Sequence, residues 1–380
     1  MIRHNVNPRP DWKAKADEIG FTFFNNGVDD DGTLWNENIA YGFTSDEIDE
    51  LEYATESLHE MSLKAVDHIV SNNKLMFNLD IPEKFHDMIK NSWKNKEPSL
   101  YGRFDLSYDG KSPPKMLEYN ADTPTLVIET SLMQWTWLQQ VMPNCDQFNS
   151  FHEKMLERFK YIRTLVPVNE TFYFVGYPDL EEEFRTLEYL EDLAQQANLK
   201  TRFISIHDIG SNGTNFYDTT NNVMKFWFKL YPWEWMMREN FSDTLLNCNN
   251  GILEPIWKAI LSNKGFLPVL YELFPDSPYI LPAFFDESKI SGDYVVKPIL
   301  SREGANINMI SGGKIICQTD GDYGNGRNVY QKTANLFCQD GNYAVIGSWI
   351  IGNKSAGIVM RDSTSPIIRS NSSVVPHYFK

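Results

Sequence analysis

Cysteine is scarce in this chain. Cys145, Cys248, Cys317 and Cys338 are widely and irregularly spaced among 380 residues, with no CxxC pair. That density excludes a disulfide scaffold, and reduced cytosolic thiols are expected. Positive charge is also short: 35 Lys and Arg against 51 Asp and Glu leave a formal net charge of -16. Nucleic acid is held mainly by cations that neutralise its phosphates, so it is not an expected partner. A basic cleft for nucleotide phosphates stays compatible with that balance, because net charge describes only the long-range field. No segment approaches about 18 uninterrupted apolar residues, and MIRHNVNPRPDWKAKADEIG at the N-terminus has no apolar h-region. Neither a membrane partner nor a secretory signal is expected, and the chain reads as cytoplasmic. His59, His68 and His86 lack metal-ligand spacing such as HExxH, so each reads as a packing or surface residue. There is no Walker A or GxGxxG sequence, no tandem repeat and no extended low-complexity segment.

What is present is a globular composition, 42% hydrophobic and 23% charged, with aromatics at a high 14%. Thr44 to Glu47 reads as a capping box, and Leu51, Ala54, Leu58, Met61, Ala65 and Ile69 then recur at helical spacing to about Val70. A second helical region runs from Ile81 to Trp93. Thr123 is an expected N-cap with Pro124 at the first helical position, starting a helix to about Gln140 whose Trp135 and Trp137 are expected in the core. From Thr171, TFYFVGY, PDLEEEFRTLEYLEDLAQQANL and KTRFISIHDI form a β-α-β pattern in which the acidic helix face is expected to be solvated. FWFKLYPWEWMMREN is expected to pack between lobes, with Lys229, Arg238 and Glu239 as candidates to line a cleft. Helical stretches follow from Glu254 to Leu261 and from Lys264 to about Phe274. YVVKPIL, NINMI, KIICQ, NVYQK, YAVIGSWII, SAGIVM and PIIR then read as an antiparallel sheet, with DGDYGNGR among its turns. Three divisions follow: 1-165, helices plus a charged hairpin; 166-250, an α/β subdomain; 251-380, a sheet-rich lobe.

Two segments carry candidate chemistry. In YGRFDLSYDGKSPPKMLEYN, pairing symmetric about the turn puts Asp105 opposite Glu118 and Arg103 opposite Asn120, all four on one face with opposed Cβ atoms about 5 Å apart. Two carboxylates and an amide carbonyl at that spacing suit one or two Mg²⁺ ions, and Arg103 beside them suits a bridging phosphate. The same spacing also fits an exposed, salt-bridged hairpin, and a one-residue slip would send one pair to the other face. A glycosidase-like acid/base pair is disfavoured, since Arg103 would hold Asp105 ionised. In YVVKPILSREGANI, Lys297 sits within an apolar strand, where an ammonium needs anionic partners or must snorkel to water. The loop behind it offers amides around Gly304, together with Arg302, as a phosphate flap. Lys264 and Arg361 are, on local sequence alone, ordinary surface cations.

Taken together, RPDW, PSLYGRFDLSYDG, PKMLEYNADTPT, QWTWLQQ, DQFNS, FKLYPWEWMMRE, EPIWKAILSNK, YVVKPILSREGANI, VYQK, VIGSWIIG and AGIVMRD resemble, in order and over nearly the whole chain, the glutathionylspermidine synthase family. The likeness is to its stand-alone synthetase-like acid-amine ligases. It implies a permuted ATP-grasp fold: an N-terminal helical region with the metal-binding hairpin, a central β-α-β subdomain, and a C-terminal antiparallel-sheet lobe for nucleotide. The implied reaction is ATP-dependent condensation of a glutathione-like carboxylate with a polyamine-like amine through an acyl phosphate. By matching motif, Asp105, Glu118 and Asn120 take Mg²⁺ positions, two ions being implied, and Arg103 stabilises the transferring phosphoryl group. Phe104, Lys264, Lys297, Gly304 and Gln331 join Arg103 and Asp105 at ATP, Arg361 lies near the reacting phosphate, and Thr123 near the acid substrate. The bifunctional members carry an N-terminal cysteine-dependent amidase; with only about 100 residues before Arg103 and no cysteine before Cys145, that activity is not expected. Competing readings are a nucleotide-binding regulatory protein with a degenerate ligase fold, and a phosphotransferase that stops at the phosphorylated acid.

Overall fold

In the computed structural model, which describes residues 1–25, 33–324, 326–369 and 372–380, the capping box forms as expected. Thr44 Oγ1 accepts from the Glu47 amide at 3.2 Å, and Glu47 Oε2 accepts from the Thr44 amide at 2.9 Å. Helix α1 (Ser45–Val70) follows, with Leu51, Ala54, Leu58, Ala65 and Ile69 buried along one stripe. The second helical region is shorter than expected, a 3-10 turn Glu83–Phe85 leading into a helix over His86–Lys94. His59 and His86 are buried packing residues and His68 is exposed, so none of the three departs from expectation.

Strands β1 (Tyr101–Ser107) and β2 (Lys115–Asn120) pair antiparallel with Arg103 opposite Asn120 and Asp105 opposite Glu118, the symmetric register. A bulge after Asp105 resets the ladder so that Leu106 meets Met116. The next helix does not begin at Thr123. Tyr101 Oη and Arg103 Nη1 donate to the carbonyls of Pro124 and Thr125, and Leu126 adopts a left-handed φ of 72°, so the carbonyls a first turn would use are already bound. Helical backbone starts at Val127, passes through a π-turn (Glu129–Met133) and becomes α2 (Gln134–Val141). Trp137 is buried there, whereas Trp135 is 42% exposed, contrary to expectation, because residues two apart on a helix point about 200° apart.

Helix α3 (Phe151–Leu165) leads into the β-α-β unit: β3 (Phe172–Gly176), α4 (Glu181–Gln196) and β4 (Thr201–Ser205). With β5 (Phe226–Lys229) and β6 (Gly251–Leu253) these strands form a parallel sheet in the order β6-β5-β3-β4, its last strand just past residue 250. Helix α5 (Phe266–Leu273) starts two residues after Lys264, which therefore lies in the preceding loop. The C-terminal strands divide between two sheets. β7 (Ala283–Phe284), β8 (Tyr294–Pro298), β9 (Asn308–Ser311), β10 (Lys314–Gln318) and β11 (Asn328–Lys332) form one, ordered β7-β11-β8-β9-β10 and antiparallel. β12 (Asn342–Ile351), β13 (Lys354–Ser363) and β14 (Ser373–Val375) instead extend the hairpin sheet, ordered β14-β13-β12-β1-β2. PIIR at 366–369 is not a strand, and the expected DGDYGNGR turn includes Asn325, outside the described residues.

The result is a mixed α/β fold with several sheets, whose cores are centred on buried aromatics such as Trp137, Trp227, Trp233 and Trp349. Among the described residues, no helix is long and apolar enough to cross a membrane. The hairpin sheet, the parallel sheet and the antiparallel lobe converge on one cleft.

Candidate functional site

The charged face of the β1–β2 hairpin forms the cleft's floor. Two buried ion pairs fix it from behind. Glu254 accepts from the amides of Leu100 and Tyr101 at the start of β1 and pairs with Lys258 at 2.7 Å. Asp122, just past β2, takes Lys229 Nζ at 2.6 Å and the Trp233 amide at 2.8 Å. Lys229 therefore supports the floor without lining it, and Arg238 and Glu239 do not line it either.

On the floor, Arg103 Nε donates to Asp105 Oδ1 at 2.9 Å, with its guanidinium 5.6 Å from the Trp349 ring centre. Asn120 Nδ2 lies 3.2 Å from Asp105 Oδ2 and 3.5 Å from Glu118 Oε1, so three oxygen-bearing side chains meet at one point. Lys264 Nζ pairs with Glu118 Oε2 at 3.0 Å and donates to the Ser301 carbonyl at 2.7 Å. Burial pushes both carboxyls up. At Asp105 burial prevails over Arg103, whereas Lys264, followed by Lys297, holds Glu118 well below the usual carboxylate range. Arg361 on β13, opposite Val345 of β12, closes the far side; burial and then the neighbouring Arg103 bring its guanidinium down to about 10.

The structure brings Arg103, Asp105, Glu118, Asn120, Thr123, Lys264, Gly304 and Arg361 to this one cleft. Gly304 adopts φ 70°, and a Cβ there would lie 2.6 Å from the Ile368 carbonyl oxygen, so glycine is required on both counts. Thr123 is not a helix cap; its Oγ1 accepts from Arg302 Nη2 at 2.8 Å. Lys297 and Gln331 stand behind Glu118. They bond each other at 2.8 Å and reach the β2 backbone at the carbonyls of Leu117 and Met116. Lys297 neither snorkels nor pairs directly with an acid, and burial, opposed by Glu118, lowers it to about 8. Phe104 points away: strand alternation puts its ring on the opposite face, fully buried and stacked on Tyr119 with centroids 3.8 Å apart.

Sequence reasoning missed the cleft's acidic wall. Glu182 and Glu183, in the first turn of α4, line the cleft instead of facing solvent, and Glu234 joins them, 3.6 Å from Arg302. The available signal was position: the loop and helix start after a parallel strand, here β3, is where open α/β sheets place ligands. Behind the wall, Glu129 is 1% exposed, and among the described residues no other residue hydrogen-bonds either carboxyl oxygen. Burial, then Glu182, pushes it up to about 8. The cleft thus offers cations and oxygen donors for an anion with its metal, and an acidic wall for a cation.

A family model described as glutathionylspermidine synthase preATP-grasp matches residues 3–380. A Haemophilus influenzae protein, provisionally named an acid--amine ligase, is 35% identical over 98% of this chain and 97% of its own. Trypanothione synthetase of Crithidia fasciculata and the bifunctional glutathionylspermidine synthetase/amidase of Escherichia coli are each 26% identical, and the chain spans only 53% and 58% of their lengths. A glutathione synthetase-like effector from Globodera pallida superposes with a TM-score of 0.60 at 10% identity, covering 97% of this chain and 96% of its own, a likeness of fold alone.

Proposed function

The chain belongs to the glutathionylspermidine synthase family, and from that premise we propose that it is an ATP- and Mg²⁺-dependent ligase joining a glutathione-like carboxylate to a polyamine-like amine. The observation that carries the reading is the union, in one cleft, of the Arg103–Asp105–Glu118–Asn120 face with the opposing acidic wall. The element order, hairpin before the lysine-bearing segments, supports a permuted ATP-grasp arrangement.

The residues fit Mg²⁺. Asp105, Glu118 and Asn120 present hard oxygen donors around one point, where the Asn120 amide and Lys264 now stand in as donors to the carboxylates. Among the described residues no three His, Cys, Asp or Glu side chains form a metal group. Two carboxylates and an amide match an ion that takes its remaining ligands from phosphate and water. Bound there, Mg²⁺ would neutralise charge on the transferring phosphoryl group.

Lys264 holds the nucleotide phosphates, and Lys297 and Gln331, which stand behind the cleft lining, reach phosphate and adenine on giving up their bonds to the β2 carbonyls. Arg103 and Arg361 face the γ-phosphoryl group, where fixed cations in a dry cleft are worth most. Thr123 marks the edge where the acid's carboxylate enters to attack that phosphorus. The loop around Gly304, latched by Arg302 to Thr123, excludes water from the acyl phosphate. Glu182 and Glu234 draw the ammonium to the carbonyl carbon, and the amine displaces phosphate to form the amide.

Purified protein incubated with Mg-ATP and a panel of peptides and amino acids crossed with polyamines tests this reading. Amine-dependent ADP release with a coupled product by mass is expected; ADP formation indifferent to every amine would overturn it.

A further inference from the structure

Amide formation from an alkyl amine carries a proton problem that the assigned residues leave open. Near neutral pH the amine is an ammonium without a lone pair, like a lysine side chain with its pKa of about 10.4. Arg103, Arg302, Arg361 and Lys264 are donors. Asp105 and Glu118 are engaged with Arg103 and Lys264. Of the cleft's other carboxylates, Asp122 is held by Lys229 and Glu303 is itself engaged, which leaves the acidic wall. Glu234 pairs with Arg302, and Glu182 takes a hydrogen bond from Thr125 close to Arg361. Glu183 differs: it lines the cleft, and its Oε2 is buried with no hydrogen-bond partner among the described residues.

We propose that Glu183 is the general base that deprotonates the incoming amine. The assignment rests on the ligase reading above and concerns the second half-reaction only. The first turn of α4 holds three glutamates, Glu181, Glu182 and Glu183. Glu181 turns outward to the Thr22 hydroxyl, the surface placement that free amides at a helix start commonly stabilise. Glu183 turns inward, where it faces Glu182 on its own helix and Arg302 and Glu303 on the Gly304 loop. Burial dominates and Arg302 opposes it, while Glu182 and Glu303 add to it, which pushes the carboxyl up to about 7. A base matched to the working pH is both ionised and strong enough to accept the proton.

The step balances as follows. The Glu183 carboxylate takes one proton from R–NH₃⁺, and the freed lone pair forms the C–N bond at the acyl carbon. The C–O bond to phosphate breaks with its electron pair. The second nitrogen proton goes to the departing phosphate, which leaves as HPO₄²⁻, and Glu183 then releases its proton to water.

Hydroxylamine separates this role from mere shaping of the cleft, because it is largely neutral at about pH 7.5 and needs no base. Wild type and Glu183→Gln receive Mg-ATP and the acids of the same panel, glutathione first, with either spermidine or hydroxylamine. Amide formation with spermidine should fall about 10²- to 10⁴-fold, the usual reach of general base catalysis. Hydroxamate formation should stay within about threefold, showing that the protein is folded and still activates the acid, and Glu183→Asp should restore part of the amide activity. In wild type, kcat/KM for spermidine should drop below about pH 7, whereas in the variant it should keep rising with pH as solution supplies neutral amine. Equal losses with both nucleophiles, or no loss with spermidine, would overturn the assignment. Failure of wild type to form hydroxamate from any acid would instead remove the acyl phosphate, and the base with it.

Discussion

Glu129 shows what a single side chain costs this fold. It is buried behind the acidic wall, and its own backbone amide, then Arg361 and Arg103, only partly offset burial and the repulsion of Glu182. Its folded pKa of about 8 lies above its ordinary 4.5, so between those values the native state holds more protons than the unfolded chain. Stability from this group is complete below about pH 4.5 and is lost as pH rises through about 8. Glutamine mimics the protonated acid at all pH values. Glu129→Gln should therefore match wild type in denaturant unfolding at about pH 4.5 and exceed it by about 4 kcal/mol at about pH 8.5, the linkage energy of a carboxyl raised from 4.5 to about 8. Equal stabilities at both pH values would mean that Glu129 is ionised in the fold at neutral pH.

At the scale of elements, what was legible in the sequence is what local chemistry decides. The capping box defined α1, the DGKSPP turn defined the hairpin register, and alternation then placed Arg103, Asp105, Glu118 and Asn120 on one face. What escaped was decided by distant partners. Side chains of β1 occupy the carbonyls of Pro124 and Thr125 and so delay the helix expected at Thr123. The run EEE reads as surface until β3 places its first turn over the cleft. Lys264 and Arg361 look ordinary in sequence, and become site residues only when three sheets meet. The Gly304 loop allows a direct check, since alanine there meets a left-handed φ and the Ile368 carbonyl at once. Gly304→Ala should raise the KM for ATP about tenfold or more, while the thermal midpoint changes by no more than a few degrees. An unaltered ATP KM would show that the loop does not close on phosphate.

Across the whole molecule, a net charge of -16 surrounds a cleft whose cations are concentrated around the β1–β2 floor. Those cations are already partnered by the groups that would hold the metal. Lys264 sits on Glu118, Arg103 on Asp105, and Lys297 and Gln331 tie the antiparallel lobe to the β2 backbone. On the ligase reading proposed above, in which the cleft takes ATP together with Mg²⁺, nucleotide binding is an exchange of partners. ATP alone must take Lys264 from Glu118 and leave that carboxylate facing its phosphates. A divalent cation alone must take Glu118 and leave an uncompensated lysine beside it. Together the exchange balances, with each displaced charge meeting an opposite one. Coupling of this kind is typically worth about 1–3 kcal/mol, about 5- to 150-fold in affinity. Calorimetry should find ATP bound at least about fivefold more tightly with Mg²⁺ than with EDTA, and the thermal midpoint should rise more with both ligands than the sum of the separate shifts. Glu118→Gln should reduce the Mg²⁺ advantage while strengthening metal-free ATP binding, since Lys264 is then released and the phosphates meet no buried carboxylate. If that variant bound ATP more weakly without Mg²⁺, the ion pair would be a scaffold for Lys264, and exchange would not be its role.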